Sequence, residues 1–287
     1  MNLCNPSTIK ELMSEAGIVF RTEYGQNFLI NPAIPARIAD ECAERSDCLV
    51  LEIGPGIGCL TKELALRYEK VLAIEIDRGL LPVLDKTLGK FDNVKIVSGD
   101  VMKIDLPTLI AEEAEGRPVY VAANLPYYIT TPILMRLLEC GVSFEAITVM
   151  VQSEVASRFT AKAGSADYGA ITAVLSYYGM AKKLFTVPAG CFMPAPKVNS
   201  AVMRLELYRE SPYKIKDIKL FFALIHAAFG QRRKTLVNAV SAALPQFDKA
   251  ILCSAIVSLG FPESVRGERL SCEDFAALAD LLCENNR

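Results

Sequence analysis

The sequence predicts an α/β fold: a doubly wound, mostly parallel sheet, followed by a smaller all-α region. Three observations point to it. Short runs rich in Val, Ile and Leu recur through the first two-thirds of the chain, as strands buried on both faces require. Amphipathic stretches lie between those runs. Glycines follow the first strand, and acidic or amide side chains end the next ones, at the edge where such sheets bind ligands.

Taken in order, Asn31-Pro32 can cap a helix with Ile34, Ile38, Ala39 and Cys42 on one face. The strand candidates are 48–54 (CLVLEIG), 70–77 (KVLAIEID), 94–100 (VKIVSGD), 119–125 (VYVAANL) and 146–152 (AITVMVQ). Helical patterns cover 61–68, 78–88 and 131–140, the last with Pro132 near its start, where proline fits. This βαβα order implies the doubly wound sheet. Beyond Gln152, helices near 153–163 and 169–179 bracket the loop AGSADYG, and two strands flank a proline-rich connection within 184–207. A linker, YRESPYKIKD, leads to helices at 218–229, 234–243, 249–259 and 272–283. Residues 1–207 are therefore expected to form the α/β domain and residues 208–287 a small all-α domain.

Composition narrows the class. The 287 residues are 52% hydrophobic and 22% charged, ordinary for a folded domain. No apolar stretch reaches the roughly 18 residues a membrane span needs. The first residues lack a basic-then-apolar signal pattern. A cytoplasmic protein with no membrane partner is expected, and a monomer by default. Nine cysteines, an odd number without a CxxC pair, argue against a disulfide framework and a structural zinc site, so no metal is expected. Net charge is −2, low for a protein that coats nucleic acid. Positive charge for an RNA partner would have to be local. From Arg209 onward eleven basic residues face nine acidic ones, a net of +2 against −4 for the rest.

The stretch LEIGPGIGCLT carries Gly54, Gly56 and Gly58 as GxGxG. Glycine turns tightly and lets a ligand approach the main chain. A dinucleotide fingerprint would need glycine where Cys59 stands, and a phosphate-binding P-loop would need a GK[ST] ending. GxGxG after LEI suits S-adenosyl-L-methionine (SAM), which brings an amino acid and a ribose in place of a pyrophosphate. Glu75 ends the second strand and can accept both ribose hydroxyls. Asp100 ends the third and can accept the exocyclic amine of the cofactor's adenine. Either carboxylate alone could as well cap a loop or a helix.

The fourth strand ends in ANLPYYIT. Pro126 lacks an N–H and holds Leu125 extended. The Asn124 side-chain oxygen and the Leu125 carbonyl can then face a cleft together, two acceptors suited to an –NH2 group. Tyr127 offers a flat face to a ring. Together they suit the N6 edge of adenine, whose lone pair is delocalised into the ring. Hydrogen bonds from both of its N–H groups favour a tetrahedral nitrogen and free that lone pair. Alignment and electrostatics supply the rest, and a base within a helix has to be extruded to reach such a pocket. His226, the only histidine, falls in an apolar helix and reads as a core residue.

These motifs, with GQNFLINP, IEID, GDVM, QSEVASRFTAKAGSADYGAITAV, FMPAPKVNSAV and FGQRRKTLVN, resemble the KsgA (RsmA) family of 16S rRNA adenine-N6,N6-dimethyltransferases over residues 17–260. The resemblance implies a Rossmann-like, class I SAM-dependent methyltransferase domain, with residues 208–287 as an RNA-recognition domain. It implies dimethylation of two adjacent adenosines of small-subunit rRNA during ribosome biogenesis, within the small subunit or its precursor. Asn27 and Leu29 would contact the cofactor with Gly54, Gly56, Glu75, Asp100 and Asn124. Phe192 would cover the second face of the target base, although by itself it reads as core. Arg232, Arg233 and Lys234 would contact rRNA phosphates, although such a triplet can equally be a solvated helix face. Ser153 stands where the family often has lysine.

Three other readings compete. An Erm-type enzyme modifies large-subunit rRNA and shares QNF and an asparagine-proline-aromatic motif, but AKAGSADYG and FGQRRKTL favour the small-subunit enzyme. A protein-glutamine methyltransferase would carry a second proline after Asn124, where Leu125 stands. A non-catalytic assembly factor on this fold would be expected to lose Glu75, Asp100 or Asn124, and all three are present.

Overall fold

The structure, a computed structural model, describes residues 1–18 and 27–284. Gly25 and Gln26 of GQNFLINP lie outside the described residues.

The apolar runs pair as a seven-stranded sheet. A two-residue strand, β1 (Phe28–Leu29), precedes it and pairs antiparallel with β8 (Phe192–Met193). In the main sheet β2 (Leu49–Ile53) lies between β3 (Lys70–Glu75) and β5 (Val119–Asn124), parallel to both. Outside them run β4 (Val94–Ser98) and β6 (Phe144–Gln152), also parallel. The antiparallel β9 (Ser200–Leu207) pairs with β6, and β7 (Gly179–Val187) lies beyond it, giving the order β4-β3-β2-β5-β6-β9-β7. The chain order reverses between β2 and β5, the switch point where doubly wound sheets bind ligands. In register, Ile53 faces Ile74 and Ala123, and Glu75 faces Ser98. Gly54, Glu75, Asp100 and Asn124 therefore share one sheet edge.

All five residues of β2 are buried, as a central parallel strand demands. Full burial of each Val, Leu or Ile contributes about 1.5–3 kcal/mol. Glu52 is the exception within that run. Around the sheet lie α1 (Pro6–Glu15), α2 (Ala33–Asp40), α3 (Cys59–Ala65), α4 (Leu81–Leu88), α5 (Leu106–Ala114) and α6 (Thr130–Glu139). The Asn31 side chain accepts the Ala33 N–H at 3.1 Å just before α2, as the sequence expected. Two of these helices, α1 and α5, were not expected. Asn5 caps the first by accepting the Ser7 N–H, and Asp105 caps the second by accepting the Thr108 N–H.

The chain forms two compact units, Met1–Ala156 with Lys182–Leu207, and Ser157–Ala181 with Tyr208–Arg287. Between the sheet's last parallel strand and β7 run α7 (Ser153–Phe159) and α8 (Ala170–Tyr178). The second unit adds α9 (Ile218–Gly230), α10 (Leu236–Ala243), α11 (Lys249–Ser258) and α12 (Cys272–Glu284). The sequence reading had one boundary, at Leu207; here Ser157–Ala181 also pack with the helical unit. The reason is aromatic: Tyr177 lies 5.5 Å from Phe221 and 5.3 Å from Phe222, and Tyr168 lies 5.7 Å from Phe229. His226 is exposed on α9, not in the core, because the buried stripe of that helix runs through Phe221, Leu224, Ile225 and Ala228. Among the described residues no helix is long and apolar enough to cross a membrane.

Candidate active site

A cavity of about 800 Å³, counting its open mouth, lies at the switch-point edge of the sheet unit. Gly54 and Gly56 line one wall and Gly58 follows them, with φ of +70°, +62° and +91°. At Gly54 the space a Cβ would fill is open, so a ligand can reach the main chain there. At Gly58 a Cβ would stand 3.1 Å from the Leu88 side chain, so this glycine serves packing.

Glu75 faces the cavity from the end of β3. Its two oxygens accept the Gly56 N–H at 3.1 Å and the Asp77 N–H at 2.8 Å. The carboxylate is thereby oriented and retains lone pairs for ligand hydroxyls. Burial raises its pKa, against the lowering effect of those backbone bonds.

Asn124 sits at the end of β5, and its Nδ2 donates to the Asn27 carbonyl at 3.3 Å. A carbonyl can only accept, so this bond settles the amide's orientation and leaves Oδ1 as its acceptor. Both asparagines and Leu29 line the cavity. No described group donates to the Leu125 carbonyl, and the Leu125 N–H is anchored on the Met150 carbonyl at 3.1 Å. Pro126, at φ −59° and ψ 130°, opens the next turn.

Three expected residues are placed otherwise. Asp100 is at the same edge, its Oδ1 accepting the Met102 N–H at 2.9 Å, but it does not line the cavity. Tyr127 is half-buried outside the lining, its hydroxyl 2.6 Å from Ser200 Oγ. Phe192 is 3% exposed, paired with Leu29 and part of the buried core cluster, so its faces are already covered. The bare reading of Phe192 as core is the one its packing agrees with.

Among the wall residues missed by the sequence reading, two stand out. Tyr128, 62% exposed, stands at the cavity beside Pro126. Glu52 is 1% exposed, and its Oε2 has no hydrogen-bond partner among the described residues. Burial pushes its carboxyl up to about 8, the nearby Thr61 hydroxyl lowers it, and the Glu75 charge raises it. Its signal was present: a carboxylate inside a strand buried on both faces has no reason to be there without a partner. Among the described residues the lining thus holds Glu52, Glu75 and Asp77 and no Lys, Arg or His. Among the described residues no cluster of His, Cys, Asp and Glu could hold a metal ion.

In the helical unit, Arg232, Arg233 and Lys234 are exposed in the turn between α9 and α10, not on a helix. Thr235 caps α10 by accepting the Asn238 N–H. Arg232 is partly engaged: its Nη2 donates to the Tyr168 carbonyl at 2.8 Å and lies 3.8 Å from Glu268.

A doubly wound sheet with a glycine turn, ordered carboxylates and an asparagine at the switch point defines a Rossmann-like methyltransferase domain. Solved structures agree. A dimethyladenosine transferase from Plasmodium falciparum superposes with a TM-score of 0.77 at 26% identity, over 90% of this chain and 98% of that one. The 23S rRNA methyltransferase ErmE superposes with a TM-score of 0.71 at 27% identity, over 90% and 100%. The profile of the family described as Ribosomal RNA adenine dimethylase matches residues 17–260, and the chain belongs to that family. Curated relatives named Ribosomal RNA small subunit methyltransferase A include one from Lachnoclostridium phytofermentans, 44% identical over 98% of both chains. Another, from Alkaliphilus metalliredigens, is 45% identical over 96% of both.

Proposed function

We propose that the protein transfers methyl groups from SAM to N6 of two adjacent adenosines in 16S rRNA, within the small ribosomal subunit or its precursor, in the cytoplasm and as a monomer. The observation that carries this reading is Asn124, oriented by the Asn27 carbonyl at 3.3 Å, in the wall of a cavity whose described lining carries carboxylates. SAM fits that cavity chemically. It carries two positive charges and one negative, and the unpartnered Oε2 of Glu52 calls for a donor such as the α-ammonium. Glu75 suits the ribose hydroxyls, Gly54 and Gly56 allow close approach, Asn27 and Leu29 complete the wall, and Asp100 is assigned the adenine amine at the rim.

SAM supplies an activated methyl group when bound. The chain aligns the acceptor. Asn124 Oδ1 and the Leu125 carbonyl accept the two N–H groups of the target N6, which frees its lone pair for attack. Tyr127, held by Ser200, is assigned the stacking face, and Phe192 supports β1 from the core. Arg233 and Lys234 are assigned rRNA phosphates. Arg232 divides its role between phosphate and the Tyr168 carbonyl.

Labelled SAM, offered to small- and large-subunit particles from a strain lacking these methylations, tests the reading. Expected is N6,N6-dimethyladenosine in small-subunit RNA alone, lost in Asn124→Ala. Label in large-subunit RNA would assign the protein to the Erm class. Cofactor binding without transfer to either would leave a non-catalytic assembly factor.

A further inference from the structure

The first residues of the chain pack behind the cavity wall. Leu3, Cys4 and Leu12 share a buried cluster with Ile57, Cys59 and Leu80, and the last three line the cavity. Two bonds tie residues 1–4 to α3. The Cys59 thiol donates to the Leu3 carbonyl at 3.2 Å, and Lys62 Nζ donates to the Met1 carbonyl at 3.3 Å. The Cys4 and Cys59 thiols thereby meet side chain to side chain, and both are free. Cys42 and Cys48, by contrast, are fully buried, and each thiol donates to a main-chain carbonyl, of Val121 and of Arg45. An odd number of cysteines argues against a framework of bridges, not against one reversible pair.

We propose that Cys4 and Cys59 form a reversible disulfide that fastens residues 1–4 to the exit of the glycine turn and weakens cofactor binding. The second half rests on the assignment of SAM to this cavity. A chain end opens more readily than the core it covers, and opening brings Cys4 to a low-molecular-weight disulfide such as oxidised glutathione. The Cys4 thiolate attacks one glutathione sulfur. The glutathione S–S bond breaks, and the departing thiolate takes up the proton that Cys4 gave up. When the segment closes, Cys59 loses its proton, attacks the Cys4 sulfur and releases the second glutathione as a thiol. Two protein thiols are oxidised and one glutathione disulfide is reduced to two thiols. The new bond draws Cys59 toward Cys4 and ends its hydrogen bond to the Leu3 carbonyl. Cys59 is the first residue of α3 and directly follows Gly58, so the wall at Ile57 and Cys59 moves with it. A wall that fits the ligand in the dithiol state fits it less well in the disulfide state. By linkage, the bound ligand disfavours the disulfide by the same factor.

The full chain, equilibrated in glutathione redox buffers, alkylated and digested with trypsin, tests the first half. Mass spectrometry is expected to show peptide 1–10 linked to peptide 46–62, the link placed by fragmentation at Cys59 and not at Cys48, and reversed by dithiothreitol. Titration calorimetry with S-adenosylhomocysteine, the demethylated form of SAM, tests the second. The oxidised protein should bind it at least about fivefold more weakly than the reduced protein. The same ligand should shift the glutathione equilibrium toward the dithiol by the same factor. Cys4→Ser should bind with the reduced protein's affinity in every buffer. Absence of the link, or a mixture of links through other cysteines, overturns the proposal. Equal affinity in the two states overturns it too, as does a loss of affinity in oxidised Cys4→Ser. If the reduced protein does not bind the ligand, the cofactor assignment falls and the second half with it, while the peptide map still decides the first.

Discussion

Tyr127 and Ser200 meet hydroxyl to hydroxyl at 2.6 Å, with the serine fully buried. Removing one partner leaves the other unsatisfied, so Tyr127→Phe should cost about 1–2 kcal/mol in denaturant unfolding. Tyr128→Ala, on an exposed ring, should change stability by less than about 0.5 kcal/mol. Comparing transfer rates of Tyr127→Ala and Tyr128→Ala then tells which ring meets the target base. Glu52 has its own signature in stability. Its folded pKa, about 8, lies above the unfolded value near 4.5, so the native state holds a proton that the unfolded chain has lost. Stability from this group is therefore present at low pH and falls between those two values, by up to about 1.4 kcal/mol per pH unit. Glu52→Gln stays neutral. Its melting temperature relative to the parent should rise from pH 5.5 to pH 8, and a constant difference would show that Glu52 is already ionised. Glu52 was legible as an anomaly in LVLEI. Tyr127's anchor was not, since Ser200 lies far along the chain.

At the scale of elements, the turn that starts α3 depends on Gly58, left-handed at φ +91° and in contact with Leu88. Gly58→Ala should lower stability by about 1–3 kcal/mol through backbone strain and the crowded neighbour, read as a lower melting temperature. The turn between α9 and α10 makes a different prediction. Arg233→Ala and Lys234→Ala should each lower the salt slope of rRNA binding by about one, leaving stability unchanged. Arg232→Ala should also loosen the loop held at Tyr168. Strands β2, β3, β5 and β6 were legible because their mainly apolar runs leave few alternatives, and β4 (VKIVS) from its Val and Ile, although as the edge strand it is only partly buried. The ends of β3 and β5, with Glu75 and Asn124, followed from the same runs, whereas β4 stops at Ser98, two residues before Asp100, which the sequence reading made its end. The α1 helix carried the Asn-Pro signal that was read correctly before α2, and its buried Ile9, Leu12 and Met13 fall at helical spacing. The pair β1–β8 could not be read: two residues make no period, and the partners are about 160 positions apart.

At the scale of the whole molecule, the chain enters the helical unit twice, at Ser157 and at Tyr208. Sequence order suggests a single boundary at Leu207. Contacts of Tyr177 with Phe221 and Phe222 are not visible in it, because half-buried aromatics on α8 read equally well as a cover for the sheet. A polypeptide ending at Leu207 should therefore be aggregation-prone, measured by light scattering, because it retains α8 without α9. If that polypeptide stays monomeric and soluble, α8 needs no such cover. The double entry also bears on synthesis. The last residue of α8, Tyr178, leaves the ribosome 40 residues before Ile218 begins α9. At about 5–20 residues per second, that aromatic face waits roughly 2–8 seconds for its partner. A nascent chain of this protein offers a holding chaperone a brief and well-defined target.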